Sequence, residues 1–228
     1  RMKEVGDPQV SPDGKWIAYT VTSIDREADK LRSAIRMVNW EGTQDLQITH
    51  GPDSDTSPRW SPDGRYLTFL SARPAEGKAQ IWLLDRRGGE ASQLTSVKGD
   101  IGSYEWSPDS QRLVLVMRDS EEDPGETPNP KAKASKPIVI DRYHFKRDIE
   151  GYLTASSLDH LYLFEVESKK LEALTGEKNL DESDPAWSPD GSQLGFISNH
   201  AKEPDQTETT DIFIVDARAG AEPRKLLT

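Results

Sequence analysis

The chain has 228 residues, a formal net charge of −11 and a sequence pI of about 4.9. An acidic surface repels phosphate backbones, which sets nucleic-acid binding aside, and no apolar run approaches the roughly 20 residues of a membrane span. Without cysteine there is neither a disulfide framework nor thiol chemistry, and a hydrophobic fraction of 34% beside 30% charged residues suits thin sheets with wet edges and long polar loops.

One pattern recurs four times: Pro8–Thr20 (P-Q-V-S-P-D-G-K-W-I-A-Y-T), Pro58–Ser71 (P-R-W-S-P-D-G-R-Y-L-T-F-L-S), Tyr104–Met117 (Y-E-W-S-P-D-S-Q-R-L-V-L-V-M) and Pro185–Ser198 (P-A-W-S-P-D-G-S-Q-L-G-F-I-S). Ser-Pro-Asp-Gly spells a tight turn. Proline presets φ at the first central position, Asp tolerates the second, and Gly takes the left-handed residue that follows. Such a turn makes a three-residue hairpin loop. A short strand ending in Val10, Trp60, Trp106 or Trp187 precedes it, and an apolar strand follows. The third copy has Ser110 in the glycine position, at some cost in backbone ease.

The first unit spans about residues 7–50. Its first strand is short, near Gln9 and Val10, and its second is Trp16–Val21. Ser23–Ser33 reads as a long polar loop, and strands follow near Ile35–Trp40 and Gln44–Thr49. The second unit, about 55–95, is the cleanest, with strands at Tyr66–Ser71, Gln80–Asp85 and Ser92–Thr95. Four short strands separated by turns is the pattern of one β-propeller blade. The turns start at residues 11, 61, 107 and 188. The first two intervals match a blade period of about 40–50 residues; the third is longer.

The excess falls in the third unit, about 102–175, as an insertion over 118–156. Asp119–Lys136 is charged, Pro-rich and aperiodic, which predicts an exposed loop. Pro137–Ser156 carries strand signal and predicts an extra hairpin. The fourth unit, about 183–228, has strands at Leu194–Ser198, Asp211–Asp216 and Pro223–Thr228. The fold class is therefore all-β, four propeller blades of four-stranded antiparallel sheet. The first and last blades expose apolar faces, so self-association through them is expected. No signal-peptide pattern opens the chain; a cytoplasmic setting is favoured and a periplasmic one stays open. Both ends are expected to be cuts within a longer protein.

The repeats resemble those of TolB and of the prolyl oligopeptidase family of serine peptidases. Pro137-Ile-Val-Ile-Asp-Arg-Tyr-His-Phe-Lys-Arg-Asp148 with Gly151-Tyr-Leu, and the run Leu158–Thr175, resemble the acylaminoacyl-peptidase-like and dipeptidyl-aminopeptidase-like branch, as does Val5–Tyr19. The resemblance implies a propeller that caps a C-terminal α/β-hydrolase domain and restricts access of peptide substrates. It implies no catalytic residue here, because the chain has no G-x-S-x-G nucleophile elbow. The expectation is a non-catalytic propeller segment that gates a serine peptidase and partners its own hydrolase domain. The alternative is a TolB-type protein-interaction propeller with no enzymatic role.

Few residues suggest chemistry directly. On a strand, Arg142, His144 and Lys146 share one face. Together with Arg147 they form a basic patch, a candidate contact for the hydrolase domain or for incoming substrate. His50, His144, His160 and His200 show no metal-ligand spacing, so no metal or cofactor is expected. His50, His160 and His200 read as solvated or structural. Asp53, Asp55, Asp181, Glu182 and Asp184 read as solvated acidic loops. Asp13, Asp63, Asp109 and Asp190 recur as turn chemistry, and Trp60, Trp106 and Trp187 as blade-to-blade packing.

Overall fold

A computed structural model describes residues 3–26, 29–51, 53–73, 78–118, 143, 146–147, 151–152, 158–177, 180–207 and 209–226. Four antiparallel four-stranded sheets follow one another along the chain. Blade 1 is β1 (Lys3–Val10), β2 (Trp16–Asp25), β3 (Lys30–Asn39) and β4 (Asp45–Gln47). Blade 2 is β5 (Asp55–Trp60), β6 (Tyr66–Ser71), β7 (Gln80–Asp85) and β8 (Ser92–Gln93). Blade 3 is β9 (Asp100–Trp106), β10 (Arg112–Arg118), β13 (Asp159–Glu165) and β14 (Leu171–Ala173). Blade 4 is β15 (Glu182–Trp187), β16 (Gln193–Ser198), β17 (Asp211–Asp216) and β18 (Arg224–Lys225). The two-residue strands β11 (Lys146–Arg147) and β12 (Gly151–Tyr152) pair with each other between β10 and β13. The rest of the expected insertion hairpin, and the expected loop 119–136, lie outside the described residues.

The Ser-Pro-Asp turn is held by one side-chain oxygen. Each serine Oγ accepts the amide of the first residue of the second strand: Trp16 at 3.0 Å, Tyr66, Arg112 and Gln193 each at 2.9 Å. The same hydroxyl donates to the aspartate two residues on, at 2.5–2.7 Å. That carboxylate also accepts an amide two residues further along the turn. Proline has no N–H and costs nothing in this scheme. The position after Asp is left-handed in all four copies, with φ 68, 71 and 70° at Gly14, Gly64 and Gly191 and 61° at Ser110. The serine is tolerated because its Oγ accepts the amide of Asp63 in blade 2, at 3.0 Å.

Alternation along each second strand assigns side chains to two seams. In β10, Leu113, Leu115 and Met117 pack against blade 2, while Val114 and Val116 pack against blade 4. In β6, Leu67 and Phe69 face blade 1, and Leu70 faces blade 3. Three apolar cores result, one per seam, and each blade pair shares a single core. A threonine just past the fourth strand closes the outer edge of three blades, buried at Thr49 and Thr95 and half-buried at Thr175: their Oγ1 atoms accept the amides of Ile35, Ile81 and Leu161 at 2.9–3.0 Å.

First strands of successive blades lie side by side, and fourth strands are short, exposed in blades 1, 2 and 4 and half-buried in blade 3. This is the radial order of propeller blades. The strand-one-to-two and three-to-four turns lie at one end of the sheets. The strand-two-to-three loops and the insertion lie at the other.

Blade 1 departs from the sequence reading. Ser23–Ser33 is not a loop over most of its length. β2 pairs with β3 without a break from Trp16↔Asn39 to Asp25↔Lys30. The Thr22–Ser33 hydroxyl pair at 2.8 Å and the Arg32–Asp25 ion pair at 2.9 Å lie across this hairpin. Polar residues on both faces hid the strands. β1 is likewise long, eight residues, with a bulge between Gly6 and Gln9.

The turn makes two predictions. Ser110→Ala keeps the unfavourable φ and loses the Asp63 bond, costing about 1 kcal/mol and about 2–4 °C in Tm. Ser110→Gly loses the same bond but relieves the strain, so its Tm stays close to the parent value. In the fourth turn, bonds from Ser188 and Ser192 lower the Asp190 carboxyl to about 2. A depressed acid stabilises the fold above its unfolded pKa of about 4, and that contribution is lost as pH falls toward 2. Asp190→Asn should therefore lower Tm at pH 7 and converge on the parent near pH 2, a comparison made by calorimetry across pH.

Candidate functional site at the propeller axis and the loop end

Charged side chains meet where the first strands of three blades converge. Arg59 of β5 binds both carboxylate oxygens of Asp7 on β1, at 2.8 and 3.0 Å, and Glu105 of β9 at 3.1 Å. Its side chain is 20% exposed, those of Asp7 and Glu105 32% and 46%. Burial works against the Arg59 charge, but the Asp7 hydrogen bond and both carboxylates outweigh it and raise the pKa. The backbone beside this ladder is unusual. Asp7, Ser57 and Asp184 occupy equivalent places in β1, β5 and β15 and all have φ near 50°. Each sits in a bulge of the first strand. Left-handed non-glycine residues cost of order 1–3 kcal/mol and cluster where a fold re-aims side chains. The ladder can clamp three blades together at the axis and place a ring of mixed charge there.

Two carboxylates read from sequence as solvated loops are buried. Asp55 is 1% exposed and pairs with Arg73 at 2.7 Å. Glu182 is 2% exposed; it meets His160 Nδ1 at 2.7 Å and the Thr175 hydroxyl at 3.1 Å. Both open a first strand and project into the seam with the preceding blade. Their partners lie 18 and 22 residues away in sequence, which is why composition alone placed them in water. Asp181 and Asp184 are exposed.

Among the described residues, the seam between blades 1 and 2 holds the unsatisfied buried side-chain atoms. Among the described residues, five buried side-chain atoms lack a hydrogen-bond partner: Thr20 Oγ1, Asp55 Oδ1, Ser71 Oγ, Arg73 Nε and Trp82 Nε1. Asp55 and Ser71 are register partners, and the Arg73 guanidinium lies 5.0 Å from the Trp82 ring centroid and 5.4 Å from that of Phe69. A cavity of about 320 Å³ adjoins, lined by His50 and Gly51 of the blade 1 edge and by Phe69 and Arg73. A second cavity of about 550 Å³ lies between blades 2 and 3 at the tight-turn end, with Arg65, Glu165 and Lys169 in its wall. Burial lowers the Lys169 pKa.

Of the basic patch expected from sequence, Arg142 and His144 lie outside the described residues. Lys146 and Arg147 form β11. Next to them, the exposed Tyr143 donates its amide to the carboxylate of Asp205, which belongs to the β16–β17 connection of blade 4. The insertion of blade 3 thus touches blade 4 at the loop end. His160 is structural, as above, and His200 stacks on Phe213 with centroids 3.9 Å apart. Among the described residues no group of three or more His, Asp or Glu could hold a metal ion. The Arg59 ladder escaped sequence reading. Its only trace was a long polar residue two places before three of the Ser-Pro-Asp turns, Gln9, Arg59 and Glu105.

The orphaned atoms give a direct prediction. Removing an unpaired buried hydroxyl costs little, so Thr20→Val and Ser71→Ala are neutral or stabilising. Arg73→Met strands the Asp55 carboxylate and costs about 3–5 kcal/mol. Chemical denaturation of the three variants checks the contrast.

Comparison with known proteins agrees with this architecture. Over 215 residues the chain is 34% identical to the uncharacterized peptidase YuxL of Bacillus subtilis, covering 92% of this chain and 32% of that protein. It is 26% identical over 232 residues to dipeptidyl-peptidase 5 of Porphyromonas endodontalis, covering 96% and 33%. The chain therefore spans about a third of the length of these curated relatives. Among solved structures, Pyrococcus horikoshii acylaminoacyl peptidase superposes with a TM-score of 0.73 at 22% identity, over 99% of this chain and 32% of that one. The family model described as "TolB beta propeller domain" matches residues 2–129, more than half of the sequence. With four consecutive blades and that match, the chain belongs to the TolB beta propeller domain family.

Proposed function

We propose that this chain is the non-catalytic propeller segment of a serine peptidase of the prolyl oligopeptidase family, and that it gates access of peptides to a hydrolase domain elsewhere in the same polypeptide. The observation that carries the reading is the near-complete match of this chain to one third of two peptidases. Two features suit a gate. The axial ladder Asp7–Arg59–Glu105 ties three blades together at the centre. The loop end carries the insertion, whose basic residues Arg142, His144, Lys146 and Arg147 are proposed to meet the hydrolase domain or the substrate. Peptide hydrolysis by an acyl-enzyme route needs a nucleophile, a base and an oxyanion hole, and these are assigned to the hydrolase domain. The second reading, a TolB-type interaction propeller, is favoured by the family model itself. A nucleophile elbow elsewhere in the polypeptide separates the two.

The gate is tested in the whole polypeptide with Arg59→Ala. Loosening the axis should raise kcat/KM for long peptides several-fold relative to a dipeptide ester, with the ester rate unchanged. An unchanged ratio of long to short substrates would contradict gating at the axis.

A further inference from the structure

The four blades differ at the position two residues before the Ser-Pro-Asp turn, which holds Gln9, Arg59, Glu105 and Ala186. Arg59 is the single cation of the set, and the seam beside it departs from the repeat at two further places. The next position back is Pro8, Pro58, Tyr104 and Pro185. Blade 3 therefore brings a tyrosine to its seam with blade 2 where the other blades bring proline. The register partner on the second strand is Ala18, Thr68, Val114 and Gly195, so only the partner of Arg59 carries a hydroxyl.

These departures meet in space. Tyr104 and Thr68 are both buried. The Tyr104 hydroxyl donates to the Ser57 carbonyl at 2.9 Å and lies 3.1 Å from Thr68 Oγ1. Thr68 Oγ1 donates to the Arg59 carbonyl at 3.0 Å and accepts the indole N–H of Trp106 at 3.0 Å. In the other two seams the indole reaches the backbone directly, Trp60 at the Gln9 carbonyl (2.9 Å) and Trp187 at the Glu105 carbonyl (3.3 Å). Here Thr68 stands between them and passes the contact on. Burial pushes the pKa of the Tyr104 hydroxyl far up, so it stays protonated and able to donate.

Both carbonyls flank the residues that aim the guanidinium. Ser57 is left-handed, with φ 53°, in the bulge between Thr56 and Arg59. Such a conformation persists only where its surroundings hold it, and blade 3 supplies the hold through Tyr104. The equivalent partner of Asp7 across the first seam is Pro58, which has no donor to offer. Between the two gripped carbonyls, Arg59 bonds the Pro58 carbonyl at 2.8 Å and reaches Asp7 and Glu105 at 2.8–3.1 Å. Charge-assisted bonds of that length leave little slack in where the side chain starts.

We infer that Tyr104, with Thr68 as its relay, is the positioning residue of the Asp7–Arg59–Glu105 ladder, and so a specificity-determining residue that touches no substrate. The two hydroxyls tie the backbone on either side of Arg59 to the packing of blade 3 on blade 2. The ladder then holds its shape only while that seam is closed. The positioning role stands on the geometry alone; its consequence for substrate choice rests on the proposed gate.

The test is made in the whole polypeptide with Tyr104→Phe, which keeps the ring and deletes the donor. The ratio of kcat/KM for a long peptide to that for a dipeptide ester should rise about two-fold or more, the low end of coupling within one hydrogen-bond network. The ester rate should not change, and the substitution should add nothing in an Arg59→Ala background. Ser110→Ala removes one hydrogen bond from the same seam and should leave the ratio at its parent value, which separates positioning from a general loss of stability. A crystal structure of the Tyr104→Phe polypeptide should show Arg59 drawn off Asp7 or Glu105, with one contact beyond about 4 Å. A ladder at its parent distances overturns the assignment. So does a ratio that Tyr104→Phe leaves unmoved while Arg59→Ala moves it, an effect that persists in full when residue 59 is alanine, or one that Ser110→Ala reproduces. The gate fails separately: if Arg59→Ala alone leaves the ratio unmoved, gating is wrong and the crystal structure decides the positioning role.

Discussion

A single four-stranded sheet of this size cannot bury both of its faces, and the structure depends on that constraint. Each interior blade is apolar on both sides and is stable only between two neighbours. Strict period-two alternation enforces it: a one-residue slip in β10 would exchange Leu113, Leu115 and Met117 with Val114 and Val116 and spoil two seams at once. Register must therefore be fixed locally before the blades stack. The Ser-Pro-Asp turn does this with one hydroxyl and one carboxylate, and in three blades the threonine just past strand four fixes the outer edge. Indole hydrogen bonds then set how one blade sits on the next.

Much of this was legible in the sequence because the same local chemistry repeats. The turn residues, the second strands and the packing role of Trp60, Trp106 and Trp187 could be read from four aligned copies. What could not be read depends on partners distant in the chain. Asp55 and Glu182 look like loop acids until Arg73 and His160 are brought to them. Arg59 looks like an ordinary exposed strand residue until Asp7 and Glu105 converge on it, 52 and 46 residues away in sequence. The long blade 1 hairpin was missed for another reason. Ile24 and Leu31, register partners on one face near its tip, are 48% and 67% exposed, and the other face carries Ser23, Asp25, Lys30 and Arg32, so neither face shows the burial that produces periodicity.

The two ends of the propeller segment serve different purposes. Tight turns make the strand-one-to-two end uniform and rigid. At the opposite end the connections vary in length and polarity, the insertion of blade 3 reaches the blade 4 connection through Tyr143 and Asp205, and the buried Asp55–Arg73 ion pair and Glu182–His160 hydrogen bond anchor the strand starts. Variable loops on a rigid scaffold are where binding function concentrates. Between the two ends, the first strands of three blades are tied by a charged ladder rather than by apolar packing. Charge pairs are more exacting in geometry than apolar contacts, and these three side chains keep 20–46% of their surface exposed.

On the proposed function, peptide hydrolysis belongs to the same polypeptide but lies outside these 228 residues. Labelling with a fluorophosphonate probe, followed by mass spectrometry of the modified peptide, tests this most directly. The account predicts that the 228-residue chain is unlabelled and that the whole polypeptide is labelled at one serine outside residues 1–228. A label on any serine within residues 1–228, or none on the whole polypeptide, would contradict it.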